Sequence, residues 1–208
     1  MKSRDLSDLF KVGETVLVEY TGTSRPELFL YHLVTSSGLP VVIDDVLDTY
    51  YEFYTRLKVS GVDVTPLEDV RVIKMGGTRD VGKVLGRLNI SKYIISEKEY
   101  MAIIKQIGEY PFLNPVLGVH KLVLLGNILE NMNIVKMVSN YVGNKERVAF
   151  YFINKNVILK HSPPLLDLLE EVATSVIEVT DSGIIVKKSI KNGAGGKIIS
   201  LFLNQDSR

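Results

Sequence analysis

The chain has 208 residues, a length that suggests one domain or two small ones, and its 46% hydrophobic content is ample for one large core. Lys+Arg number 25 against 24 Asp+Glu, a net charge of +1, which counts against a generic nucleic-acid-binding surface. There is no cysteine, so disulfides, thiolate metal sites and cysteine nucleophiles are excluded, and a cytoplasmic location is expected.

The first residues, MKSRDLSDLFKV, lack the apolar region of a signal peptide. No window approaches 18 uncharged apolar residues, so no membrane span is expected. Residues 4–11 read as a short amphipathic helix with Leu6, Leu9 and Phe10 on one face. Val16-Leu17-Val18 reads as a strand, Tyr20 to Ser24 as a small polar turn, and Pro26 to Ser36 as a helix with proline in its first turn. Strand, glycine-containing loop and helix in this order are the layout of a phosphate-binding loop.

Pro40 to Ile43 reads as a buried strand with Asp44-Asp45 at its C-terminal end. Residues 46–60 have helical spacing, and Val70 to Met75 reads as a third strand, followed by the turn Gly76-Gly77-Thr78. Residues 79–88 suggest a short helix, Tyr93 to Ile95 a strand, and Glu97 to Glu109 a helix capped by Ser96 with Glu99 three residues on. Pro111 and Pro115 suggest an irregular connection. Lys121 to Leu125 then reads as a buried strand ending at Gly126-Asn127, 128–142 as a helix, Val148 to Ile153 as a strand and Pro163 to Ala173 as a helix. Ser175 to Val179, Ile184 to Ile190 and Lys197 to Leu203 read as an antiparallel meander.

Strands alternating with helices predict right-handed βαβ units. The expected fold is α/β, three-layered, a mainly parallel sheet with helices on both faces and the C-terminal meander extending it. No repeat or linker divides the chain, so a single domain over 1–208 is expected, with a parallel core at about 12–173 and the meander at about 174–204. Ligands in such folds bind outside the carboxyl ends of the parallel strands.

This order of pieces resembles the RecA-like ATPases, in particular their archaeal KaiC/RadA-type branch. The matching stretches are Gly13, Val16-Leu17-Val18, Val41-Val42-Ile43-Asp44-Asp45, Arg56-Leu57 through Gly61-Val62-Asp63, and Val72-Ile73-Lys74. Leu122 to Leu125 falls where that family's Walker B strand is expected, and Val176 to Val179 with Ile185 to Lys188 resembles its closing hairpin. The chain is also similar to a small archaeal family, chiefly from Pyrococcus and its relatives, that shares this RecA/KaiC-like, P-loop NTPase-like fold. The resemblance implies a Walker A loop at Tyr20 to Glu27 and a catalytic acidic pair at Asp44-Asp45, one of which would polarise an attacking water.

The departures are specific. A Walker A loop needs G-x-x-x-x-G-K-[ST] for phosphate and Mg²⁺. Aligned on the flanking strand and helix, the Lys-Thr pair falls on Pro26-Glu27. Proline removes an N–H from the anion nest, and Glu27 opposes a phosphate. No Walker B aspartate follows Leu125. A domain that has lost hydrolysis and acts as a binding or regulatory module is therefore expected; the alternative is an atypical nucleotide binder or NTPase using loop 20–27 with Asp44 and Asp45.

The candidate residues each have two readings. Thr21, Gly22, Thr23, Ser24 and Arg25 form either a modified ligand loop or a plain turn. Asp44 and Asp45 are either catalytic, or a solvated strand end and a helix cap. Gly76, Gly77 and Thr78 form a substrate loop or a strand-to-helix turn, and Asn127 lies at the same expected edge. The three histidines have no ligand spacing and no metal is expected; no cofactor is expected either, ATP being the one to test. A homo-oligomer or a protein partner fits better than nucleic acid or a membrane.

Overall fold

The computed structural model describes residues 10–90, 97–181, 183–191, 193, 195–196 and 198–199. The chain runs β1 (Thr15–Tyr20), α1 (Pro26–Ser36), β2 (Val42–Val46), α2 (Thr49–Val59), α3 (Thr65–Glu68), β3 (Arg71–Met75), β4 (Lys83–Leu88) and α4 (Glu97–Ile104). It continues with β5 (Phe112–Leu117), α5 (Val119–Val123), α6 (Ile128–Asn140), β6 (Arg147–Asn154), α7 (Lys155–His161), α8 (Pro163–Val172), β7 (Ser175–Thr180), β8 (Gly183–Lys188) and β9 (Ile198–Ile199).

Among the described residues the strands form one sheet in the order β4-β3-β2-β5-β6-β1-β7-β8-β9. Every pairing from β4 to β7 is parallel, and β7-β8 and β8-β9 are antiparallel. Side chains alternate across a strand, so each strand supplies both layers of the core. Leu17, Val42, Val116, Ala149 and Tyr151 face one way and pack under α4, α5, α6 and α8 through Tyr100, Leu122, Ile134 and Leu165. Val16, Val18, Ile43, Phe150 and Phe152 face the other way and pack under α1, α2 and α3 through Phe29, Phe53 and Leu67. This is the mainly parallel three-layer arrangement, with its antiparallel C-terminal hairpin, that the sequence predicts.

Several elements differ from the sequence expectation. The second strand is Val42–Val46, so Asp44 and Asp45 lie within it and not beyond its end. Residues 79–88 contain strand β4 where a helix was expected. The run Lys121 to Leu125 is not a strand: Val119–Val123 is a helical turn, started by Gly118 in the left-handed region at φ 87°. The strand is β5, across the expected irregular connection, with Pro115 inside it. Proline has no N–H for the ladder. The β2–β5 pairing is interrupted there, and the side-chain Nδ2 of Asn114 donates to the Val42 carbonyl at 2.9 Å, supplying a donor. Most of the expected helix 4–11, the expected strand 93–95, the Ser96 cap and most of the last strand lie outside the described residues.

Under α8 a charged cluster joins three elements. Glu19 of β1 is fully buried, and Lys187 of β8 donates to its Oε2 at 2.9 Å and to Glu170 Oε1 of α8 at 2.6 Å. Burial, then the facing Glu170 carboxyl, raise the Glu19 pKa to about 7, against the pull of Lys187. A carboxyl whose folded pKa is raised holds its proton in the native state where the unfolded chain has lost it, so stability falls as pH rises through this window. We expect wild type to lose thermal stability relative to Glu19→Gln between pH 5 and pH 8, about a few degrees in melting temperature by calorimetry; parallel pH curves for the two proteins would refute this.

Candidate functional site

The carboxyl edge of the sheet is where a parallel α/β fold offers a site. At the β1–α1 loop, Ser24 Oγ accepts from Thr21 N at 3.1 Å, and Ser24 N donates to Thr21 O at 3.2 Å. The Thr21 hydroxyl meets Thr23 Oγ1 at 3.0 Å and Ser24 Oγ at 2.9 Å. The three hydroxyls thus satisfy one another in a closed turn with Gly22 at its tip. Pro26 opens α1, and Glu27 in the first turn is buried. Arg25 Nε lies 3.5 Å from Glu27 Oε1, and Arg56 Nε lies 3.6 Å from Oε2. A helix N-terminus favours an anion, and here the first turn carries the chain's own.

The acidic pair is split by the strand. Asp44 shares a face with Val42 and Val46, under α4 and α6, whereas Asp45 shares a face with Ile43, towards α2. Asp44 is therefore not solvated, and the two carboxylates cannot act on one water from the same side. Asp45 Oδ1 accepts from Tyr50 N at 2.9 Å, serving the first turn of α2 from inside the strand, and its Oδ2 accepts from Lys74 Nζ at 2.6 Å.

Lys74 is only 1% exposed and also donates to Asp48 Oδ1 at 2.6 Å and to the Arg79 carbonyl at 2.7 Å. Burial alone would lower its pKa, but hydrogen bonds to Asp45 and Asp48 raise it, so the amine stays charged. Asp48 also accepts from Thr78 N at 2.9 Å and Arg79 N at 3.0 Å. To do so Leu47 and Asp48 adopt positive φ of 50° and 61°. A Cβ on Gly77 would lie 2.2 Å from Asp48 Oδ1, so glycine is required for this approach. Gly76-Gly77-Thr78 thus grips Asp48. Asn127 is not at a strand end: it caps α6, accepting from Leu129 N and Glu130 N, with Glu130 returning to its own N–H.

A second, buried site lies between the sheet and helices α4 and α6. Asp44, Asn114, Arg147 and Tyr151 project from the adjacent strands β2, β5 and β6 onto one face. Arg147 Nη1 donates to Asn114 Oδ1 at 2.6 Å and Tyr100 Oη at 3.1 Å, and Nη2 donates to Tyr151 Oη at 3.1 Å. Its guanidinium carbon stands 4.2 Å from the Tyr141 ring centre. The Tyr100 hydroxyl in turn donates a hydrogen bond to Asp44 Oδ2 at 2.9 Å, linking the two charges through one hydroxyl. Burial raises the Asp44 pKa to about 6, with Arg147 and the Tyr100 and Asn114 side chains opposing it.

Asp44, Tyr100, Arg147 and Tyr151 line a cavity of about 220 Å³. Its walls include Val46, Val116, Val119, Leu122, Ile134 and Met137, and its mouth carries Glu97, Asn133, Lys136 and Asn140. Asp44 Oδ1 and Arg147 Nε are closed off from solvent and have no partner within hydrogen-bond distance and angle among the described residues. Of the sequence candidates only Asp44 belongs to this site. Arg147, Tyr100, Tyr151 and Asn114 carry no motif; the one available signal was an arginine opening an otherwise apolar strand. Elsewhere His120 is buried against Tyr20, and burial lowers its pKa to about 4. No group of three His, Asp or Glu that could hold a metal occurs among the described residues.

Residues 5–200 match the family described as "Pyrococcus protein of unknown function, DUF257", and the chain belongs to it. A protein of Pyrococcus horikoshii OT3 of solved structure is 69% identical over 98% of this chain and 100% of its own, with a TM-score of 0.94. The flagellar accessory protein FlaH from Methanocaldococcus jannaschii shares the fold at 11% identity, covering 95% of this chain and 89% of its own, with a TM-score of 0.56. The chain thus combines a Pyrococcus-type family with a RecA/KaiC-like fold. No curated protein matches it. No helix among the described residues is long and apolar enough to cross a membrane.

The Lys74 cluster generates a stability prediction. Lys74→Met leaves Asp45 buried without its cation and is expected to cost about 3–5 kcal/mol, lowering the melting temperature by about 10 °C or more. Lys74→Met combined with Asp45→Asn should recover most of that loss. A double mutant no more stable than the single one would refute the pairing.

Proposed function

We propose that this member of the family is a RecA/KaiC-like domain that no longer runs Mg²⁺-dependent nucleotide hydrolysis and works as a binding or regulatory module. One observation carries the reading: the loop after β1 is closed by its own hydroxyls, and α1 opens on proline and a buried glutamate clasped by Arg25 and Arg56. A phosphate there would meet a carboxylate in place of a lysine and a missing N–H in place of a donor.

The neighbouring strand ends support it. β6 and β5, on one side of β1, end at Asn154 and at Leu117 before Gly118, and neither offers a carboxylate for Mg²⁺. Gly126-Asn127 follows a helical turn, not a strand, and Asn127 caps α6. Along the same edge Arg25, Lys74, Lys121 and Lys155 each pair with a carboxylate of the chain. Phosphate recognition needs cations not already neutralised. Asp44 is buried under α4 and α6 and Asp45 is paired with Lys74, which counts against either one acting on a water at the strand edge.

Any ligand that binds the native state raises the melting temperature by mass action. ATP, ADP and GTP at about 5 mM, with and without Mg²⁺, are expected to move it by less than about 1 °C, and no phosphate release above the protein-free rate is expected. A Mg²⁺-ATP shift that disappears in Arg25→Ala would overturn the proposal in favour of an atypical nucleotide site at loop 20–27.

A further inference from the structure

We propose that an apolar groove on the α1 side of the sheet is the docking site of the chain's own first nine residues, which place Leu6 and Leu9 against its lining. The proposal stands whether or not loop 20–27 takes a nucleotide.

Three parts of the fold build the groove. Leu33 of α1, Leu39 in the connection to β2, Leu113 near the start of β5, and Val148 and Phe150 near the start of β6 line a cavity of about 210 Å³. Ser37 is the one polar residue of its lining, and Val12 at its side is 45% exposed. Apolar side chains, not water, stabilise a space of this kind.

The chain enters its first strand from this groove. Phe10 lines it and stands edge-on to Phe150, with ring centres 4.9 Å apart at 85°. The residues that follow fix that position. Lys11 N donates to Glu14 Oε1 at 2.9 Å, Glu14 N returns to the Lys11 carbonyl at 3.0 Å, and Gly13 N donates to the Arg147 carbonyl at 2.9 Å. Gly13, at φ 90°, closes this turn. Glu14 is buried and accepts from the Ser175 hydroxyl at 2.7 Å. The polypeptide that precedes Phe10 is therefore attached at the groove wall. A tether this short gives it an effective concentration that a free partner does not reach.

The sequence of those nine residues, MKSRDLSDL, suits the lining. Helical spacing puts Leu6 and Leu9 on one face with Phe10, and Arg4 and Asp8 on the other. Ser3 is a favoured N-cap, and Asp5 suits a first helical turn. Leu6 would then stand one turn from Phe10, about 6 Å along the axis. A cavity of about 150 Å³ holds a benzene-sized group, so about 210 Å³ admits a leucine side chain with room beside it. A helix of two turns is marginal by itself in water. The groove supplies the apolar surface that such a helix needs, and the docked segment would strap the entry of β1 to α1 and β5.

The chain has no cysteine, so introduced thiols are unique. Full-length Leu6→Cys/Ser37→Cys treated with a short bis-maleimide should crosslink within one chain, read by mass and peptide mapping. Arg4→Cys/Ser37→Cys, whose first thiol lies across the helix, should react at least about five-fold more slowly. By calorimetry Leu6→Asp with Leu9→Asp should lower the melting temperature by about 5 °C or more. Arg4→Ala with Asp8→Ala should change it by less than about 2 °C. Crosslinks between two chains, which would put a second copy's segment in the groove, overturn the proposal. So do equal reactivity of the two cysteine pairs and an unchanged melting temperature in Leu6→Asp/Leu9→Asp. If that aspartate variant does not fold, the crosslinking decides.

Discussion

A permanent positive charge at the start of a buried strand must be solvated by the protein itself. Arg147 is 4% exposed, and its side chain is served by β5, by α4, by its own strand and by the ring that follows α6. The two helices over this half of the sheet are thereby tied to it by polar as well as apolar contacts. The same requirement explains Asn114. One end of its amide accepts from Arg147 and the other donates to Val42 beside the ladder gap at Pro115. A defect in a central strand and a buried charge are resolved by one side chain, and Tyr100 extends the chain of bonds to Asp44 on β2.

The two acidic residues of β2 show how far one residue of pleat separates two fates. Asp45 is locked by Lys74 and the backbone of α2, and with Asp48 it fixes the edge of the sheet into self-satisfied ion pairs. Asp44, on the other face, is buried and accepts from the Tyr100 hydroxyl. At the loop edge the side chains of Thr21, Thr23, Ser24 and Glu27 are engaged with one another and with Arg25 and Arg56.

Much of the fold was legible from local pattern. The strand, loop and helix at 15–36, the strands at β3 and β6, helix α8 and the terminal hairpin all follow from apolar spacing and from the placement of Pro and Gly. The misreadings have physical causes. Pro115 forbids a ladder bond, so β5 reads as a loop until Asn114 is seen to supply a donor. Lys121 to Leu125 is an apolar run too short to show its period; its first three residues belong to the helical turn that starts after Gly118 at positive φ, and Leu124 and Leu125 follow it. β4 is an edge strand that is mostly half-exposed and interrupted by Gly86, so its alternation is weak.

The sequence by itself determined the α/β class, the parallel order implied by alternating elements, and the absence of a Lys-Ser/Thr pair from loop 20–27, because these depend on residues close together in the chain. Only the tertiary structure decided which acidic residue faces which layer, that Glu27 and the loop hydroxyls are internally paired, and that Arg147 meets Tyr100 and Asn114 across 47 and 33 residues of chain. Those facts depend on strand order and on the phase of the pleat. Both are set by long-range packing, which no local spacing encodes.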